Sequence, residues 1–351
     1  MDHTSKPPEM ACPLPISDYP HVLMAHGGGG RLMHQLLSKV FYSAFANPLL
    51  DNHHDGAALQ IGDGKIAFTT DGYVVQPMFF PGGDLGTLAV YGTVNDLAMC
   101  GARPAWLSAG FILEEGLPVE TLTRVVESMR QAAQIAKVVI VTGDTKVVER
   151  GKCDGVFVTT AGVGVIEHGR TIGPTMIQPG DAVILSGDLG RHGMAIMAQR
   201  EGLEFDTTIE SDCAPLGEPV QALLEAGVDV HCLRDLTRGG LCSALVELSG
   251  QAQLGVRIEE RKIPVDENVA SACELLGLDP LYVANEGRMV AIVAAEHADR
   301  AVQTLQRFEV CAGSRIIGEI VKDHQDVILN GVLGVDRVLD MLSGEQLPRI
   351  C

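Results

Sequence analysis

Short β-branched apolar runs alternate with helical runs along most of this chain, and glycine beside an acid or a hydroxyl marks many of the junctions. That alternation restricts the chain to mixed sheets layered with helices, an α/β fold. Strands are expected at Ala57–Ile61 and Ile66–Thr70, joined by an Asp63-Gly64 hairpin turn. Others are expected around Trp106–Ile112, Val138–Val141 and Gly155–Val165, with helices running from Leu32, Leu85 and Pro118. Asp84 reads as an N-cap and Gly101 as the stop of the same helix. Val138–Val141, continuous and β-branched, reads as a buried strand. Past Gln178-Pro179-Gly180-Asp181 the alternation resumes, with Ala182–Leu185 as a strand that runs into the glycine loop Ser186–Gly193. More strands are expected near 228–233, 254–260, 288–294, 315–320 and 327–330, and helices near 215–226, 240–250, 264–276 and 296–309. A length of 351 residues accommodates two cores. The expected divisions are a flexible segment 1–25, an N-terminal domain 26–170, a C-terminal α/β domain 171–331 and a mobile tail 332–351.

The 40 glycines stand against 9 Phe, 5 Tyr and 1 Trp, a balance that favours tight turns and close backbone approach to a ligand. At His26-Gly27-Gly28-Gly29-Gly30-Arg31 they precede a helix, where exposed N–H groups wrap an anion or where the chain simply hinges. No Gly-Lys-Ser/Thr follows, so this is not a P-loop. The formal net charge of −19 repels a phosphate backbone and excludes nucleic acid as a partner. An acidic chain that handles nucleoside phosphates needs a divalent cation between its carboxylates and the ligand. No apolar run reaches the length of a membrane span, and residues 1–20 lack an apolar signal core, so a cytoplasmic location with no membrane partner is expected. The nine cysteines form no CxxC pair, so neither a disulfide framework nor a zinc site is indicated.

Asp55, Asp71, Asp96 and Asp144 all fall at expected strand or helix ends of the first domain. One such aspartate beside glycine is a turn signal; four that converge offer the oxygen-only donor set that suits magnesium. In the second half, Asp235 opens a helix and is either a cap or a further ligand, while Asn285-Glu286-Gly287 is either a surface turn or part of a site. The chain ends Pro348-Arg349-Ile350-Cys351, after Gly344. Glycine loosens and proline extends such a segment, and a terminal thiolate can accept a group and carry it covalently. The plain alternative is that cysteine is tolerated at an end.

Read together, several stretches resemble one family. They are His26–Gly30, Phe68-Thr69-Thr70-Asp71-Gly72, Phe79–Gly83, Asn95-Asp96-Leu97-Ala98, Gly110–Gly116, Val141–Val148, Arg234–Gly240, Ala284-Asn285-Glu286-Gly287 and the terminal Pro-Arg-Ile-Cys. In this order they are similar to the HypE family of hydrogenase maturation proteins, within the PurM-like (AIR synthetase-related) ATP-binding superfamily. The likeness covers His26 to Cys351.

The resemblance implies a two-domain PurM-like fold that pairs into a homodimer, with ATP and Mg2+ bound near the interface. It implies an ATP-dependent carbamoyl dehydratase that converts an S-carboxamide on Cys351 to a thiocyanate, for the cyanide ligands of nickel–iron hydrogenase. The carbamoyltransferase HypF would supply the group, and the HypC–HypD complex would accept the cyanide. Carried over by position, Asp55, Asp71, Asp96 and Asp144 become metal and nucleotide contacts, with Asp235 a further metal candidate and Asn95, Gly28, Gly29 and Gly30 nucleotide contacts. Glu286 becomes the general base, helped by Lys146, whose plain role is a salt bridge with Glu286. Two positions depart from the superfamily pattern: His54-Asp55 replaces a pair of acids, and Arg191 stands where relatives often have aspartate. A selenophosphate synthetase would need an early Cys–Lys pair that is absent near His26, and a scaffold that only presents Cys351 would not need the acids.

Overall fold

The computed structural model describes residues 21–202, 208–342 and 350. The first sheet holds β1 (Ala57–Ile61), β2 (Gly64–Tyr73), β5 (Arg103–Glu114), β6 (Val139–Val148) and β7 (Val156–Ile166) in the order β1-β2-β7-β5-β6. A short hairpin, β3 (Phe79–Phe80) with β4 (Gly83–Asp84), stands apart from it. The second sheet has β8 (Ala182–Leu185), β9 (Val230–Asp235), β10 (Gly255–Glu259), β11 (Met289–Val293), β12 (Arg315–Val321), β13 (Val327–Asn330) and β14 (Asp336–Leu339). Its order is β14-β13-β10-β12-β8-β11-β9.

Before the first sheet, α1 (Arg31–Leu36) continues through a π-helical stretch, Leu37–Tyr42, into a last turn, α2 (Ser43–Phe45). Between the sheets lies α3 (Leu85–Met99). Of its 15 residues 13 are buried, so it has no solvent face, as a helix packed on both sides requires. Asp84 caps it: the Thr87 N–H donates to Asp84 Oδ1 at 2.9 Å, and Thr87 Oγ1 accepts from the Asp84 N–H. On one side α3 meets α4 (Val119–Ile135), where a Cβ at Gly86 would lie 2.4 Å from the Val125 carbonyl oxygen. The remaining helices are α5 (Arg191–Glu201), α6 (Gly217–Glu225), α7 (Gly240–Ala252), α8 (Glu267–Leu276) and α9 (Ala298–Leu305). Ala98 and Met99 of α3 join the core formed by α6, α9 and the second sheet, which ties the two halves together.

Two expectations are corrected here. The run Val138–Val141 is not a buried strand: β6 is the sheet's edge, it continues to Val148, and Val139 and Val141 are 59% and 58% exposed. Nor is all of 332–342 a loose tail, because β14 pairs antiparallel with β13, Val327 to Leu339 through Asn330 to Asp336. Among the rest of the tail, only Ile350 lies within the described residues; Pro348, Arg349 and Cys351 lie outside them.

Candidate active site

Strand ends and α3 deliver the acids to one cleft between the halves. Carboxylate oxygens of Asp55, just before β1, Asp96 in α3 and Asp235 at the end of β9 lie within 4.8 Å of one another. Asp71 and Glu286 line the same cleft, a cavity of about 380 Å³. A neighbouring hollow of about 540 Å³, lined by Gly29, His53 and Glu247, shares Met33, Tyr42, Asp55, Arg234, Thr237 and Arg238 with it.

Like charges so close in a protected space disfavour ionisation. Burial, then Asp71, pushes the Asp96 carboxyl well above its ordinary value. Burial, then Asp55, does the same to Asp235, and burial, then Asp235, does it to Glu286. Burial raises Asp71 despite the Tyr73 hydroxyl, which donates to Asp71 Oδ2 at 3.0 Å. Thr69 donates to Asp96 Oδ2 at 2.7 Å. Arg234 balances the other wall, its Nε donating to Asp55 Oδ1 at 2.9 Å while its outer nitrogen pairs with Glu247. Asp55 Oδ2 and Glu286 Oε1 are buried without a hydrogen-bond partner among the described residues. Buried carboxylate oxygens left unpaired are costly, and a hard cation bridging to phosphate is the occupant that would satisfy them.

Two assigned residues, Asp144 and Lys146, stand elsewhere, and Asn95 and the glycines 28–30 have other tasks. Asp144 and Lys146 project from β6, 72% and 71% exposed, and form an ion pair of 2.9 Å with each other. The register Gly72–Thr159–Gly110–Asp144 puts Asp144 three strands from β2, about 14 Å at ordinary strand spacing. It also puts Asp144 on the face of Gly72, opposite that of Asp71, because neighbours in a strand alternate. Within one chain, then, Asp144 does not join the acid cluster, and Lys146 forms no salt bridge with Glu286. Asn95 is 2% exposed and already committed: it accepts from the Leu216 N–H at 2.8 Å and donates to the carbonyls of Ala214 and Glu286. It holds the loop under Glu286 and offers no free group to a nucleotide. Gly30 is buried as the N-cap of α1, Gly28 is half-buried, and Gly29, at φ +72°, packs so closely that a Cβ would lie 2.8 Å from the Arg238 carbonyl oxygen.

Tyr73, Thr69, Arg234 and Arg238 had no assigned role in the sequence. Tyr73 was nonetheless accessible to reasoning, since it follows Asp71 by two and so shares its face of β2.

The second face of the first sheet carries Phe68, Trp106, Ile112 and Val139, 41% to 59% exposed. Lys146 is the register partner of Ile112 and opens onto the same face.

Two family models match the two halves that enclose this cleft. Residues 53–166 match the AIR synthase related protein N-terminal domain, and residues 178–330 match the C-terminal domain. The chain is therefore a two-domain AIR synthase related protein. It is 51% identical over 331 residues to the carbamoyl dehydratase HypE of Azotobacter vinelandii, covering 94% of this chain and 97% of that one. A crystal structure of HypE in complex with ATP superposes with a TM-score of 0.80 at 47% identity, covering 94% of this chain and 100% of the other. HypE from a HypE–HypF complex superposes at 0.84 with 45% identity, covering 88% and 99%. The chain belongs to the HypE family of carbamoyl dehydratases.

Proposed function

We propose that this chain dehydrates a carbamoyl group carried on Cys351, using ATP, and so supplies the cyanide ligands of a hydrogenase iron centre. The single observation that supports this most is Glu286: a buried carboxylate with an unpartnered oxygen beside an acid cluster that calls for cation and phosphate. ATP converts the carbamoyl oxygen into a leaving phosphate, and Mg2+ offsets the charge between the phosphates and the aspartates. The nitrogen gives up two protons, the C–O bond breaks, and a C≡N group remains on sulfur, with ADP and phosphate released. Asp55, Asp96 and Asp235 would hold Mg2+, and Asp71 lines the same cleft. Glu286 takes protons from the nitrogen; burial, then Asp235, raises its pKa and so makes its carboxylate a stronger base. HypF is the carbamoyl donor suited to this chain and HypC–HypD the acceptor. No described helix is long and apolar enough to cross a membrane, in keeping with a cytoplasmic enzyme.

Intact-mass measurement tests the reading. With HypF, carbamoyl phosphate and ATP, one carbamoyl group should appear on Cys351 and then one water should be lost; modification of any other cysteine overturns it.

A homodimer through the open face of the first sheet would cover Phe68, Trp106, Ile112 and Val139 and bring Asp144 and Lys146 to the interface. The nucleotide contact assigned to Asp144 and the catalytic help assigned to Lys146 belong to that assembled state. Trp106→Glu places a charge in this apolar surface. It should give a monomer by light scattering and weaken ATP binding about ten-fold; a dimer with normal affinity would exclude this face.

The acids also set a pH dependence. Their folded-state pKa values exceed the unfolded ones, so each carboxyl holds its proton more tightly in the fold and costs stability as pH rises through that raised range. Without cation, the melting temperature should be at least about 3 °C higher at pH 5.5 than at pH 8, and Mg2+ should raise it more at pH 8. Equal Mg2+ effects at both pH values would exclude the carboxylates as the cation site.

A further inference from the structure

Ile350 is 3% exposed and belongs to the apolar cluster that contains Phe80, Met194 and Ile209. Its backbone carbonyl is held by a side chain with no place in the chemistry above. His192 Nε2 lies 2.6 Å from the Ile350 oxygen, and His192 Nδ1 lies 2.9 Å from Ser211 Oγ.

The roles in this chain of contacts follow from what each atom can do. A carbonyl only accepts, so Nε2 carries the proton and Nδ1 accepts from the Ser211 hydroxyl. Ser211 Oγ in turn accepts from the Cys213 N–H at 3.1 Å. Burial lowers the His192 pKa and keeps the ring in this neutral form. The ring is also fixed edge-on to Phe80, centroids 5.5 Å apart at 80°.

The same short segment grips Glu286. Asp212 accepts from the N–H groups of Glu286 and Gly287 at 3.4 and 3.2 Å, and the Ala214 N–H donates to the Glu286 carbonyl at 3.5 Å. Ser211 itself is fastened to the hairpin, its N–H donating to the Pro81 carbonyl at 2.9 Å. Gly82, at φ +83°, permits that approach: a Cβ there would lie 2.6 Å from the Ser211 nitrogen.

We propose that His192 is the positioning residue that seats the C-terminal tail. Together with Ser211 it fixes Ile350, the residue that precedes Cys351 in the chain, in one frame with Glu286. This deepens the reading of Cys351 as the carrier and rests on it. His192 acts through the tail backbone.

The test measures Cys351 alkylation by iodoacetamide, read by peptide mapping, in the full chain without partners. His192→Phe keeps the ring's bulk and its packing on Phe80 but cannot donate. It should raise the Cys351 labelling rate about ten-fold while ATP binding and the protection of Cys232 and Cys311 stay at wild-type values. His192→Gln, whose Nε2–H reaches a similar position, should return labelling to within about three-fold of wild type. Single-turnover dehydration of the pre-carbamoylated chain should slow about ten-fold in His192→Phe and recover in His192→Gln, with carbamoyl addition by HypF unimpaired. Should His192→Phe also open Cys232 or Cys311, Ile350→Ala decides: release of Cys351 alone supports the proposal, and a wild-type rate overturns it. Wild-type labelling in His192→Phe overturns it as well. Labelling needs no carbamoyl donor, so a failure of carbamoyl addition sinks the carrier reading without touching this result.

Discussion

Replacing Cys351 with alanine is expected to reduce carbamoyl addition and thiocyanate formation to background while ATP affinity stays within about two-fold of wild type. A covalent carrier has no substitute when its sulfur is removed, whereas the nucleotide cleft is built from Asp55, Asp71, Asp96, Asp235 and Glu286, none of which belongs to the tail. Serine in the same position should be nearly as inactive, because an alkoxide is not accessible to a hydroxyl at neutral pH as a thiolate is. Intact mass and equilibrium binding of a fluorescent ATP analogue read the two effects separately. Persistent carbamoyl addition in Cys351→Ala would move the carrier to another residue. Loss of nucleotide binding would mean that the terminal residue is part of the cleft itself.

Glu286→Gln should leave the first step intact and stop the second. The chain would accumulate in its carbamoylated form, with dehydration slower by about 10²–10⁴, the usual worth of a positioned general base. The amide is nearly isosteric and keeps the backbone contacts with Asp212, Ala214 and Asn95, so folding is not at issue. The pH profile separates a base from a passive wall. Burial and then Asp235 raise the Glu286 pKa, so in the wild-type chain the rate should climb as pH rises through that raised value and the carboxylate forms. In Glu286→Gln this acidic limb should vanish. A variant that still completes dehydration at more than about a tenth of the wild-type rate would remove Glu286 from the proton transfer.

Much of the framework was readable before any coordinates, for identifiable reasons. Ala57–Ile61 and Ala182–Leu185 stand out because strong turn residues flank short apolar runs, and α3 is legible because Asp84 stands as a cap directly before its helical run and Gly101 closes it. The sequence reading of β6 failed on environment and extent. Its valines carry the same signal whether they face a core or a surface waiting for a second chain, and hydrophobic pattern alone does not separate the two. β14 escaped notice because Asp336 and Arg337 give it the look of a loop, although its backbone completes the edge of the second sheet.

The site shows the same division. Asp55, Asp71 and Asp96 could be assembled from their places at element ends, whereas Asp235 joined them as a metal candidate only through the family resemblance. Asp144 shares that local signature, yet strand parity turns it to the opposite side of the sheet, a fact visible only once the register is known. Asn95 was misassigned because a buried amide that braces a loop and one that binds a ligand look alike in sequence. His192 left no trace at all, since its partner is a main-chain carbonyl 158 positions away.

The strand β14 has a consequence for traffic between enzymes. Once Leu339 is stitched into the sheet, only twelve residues lead from it to Cys351. Fully stretched, such a leash measures about 40 Å, which is the outermost radius at which the sulfur can meet anything. On the carrier reading proposed above, a donor and an acceptor would have to present their reactive centres inside that sphere, so the edge strand of the second sheet would govern how each of them docks.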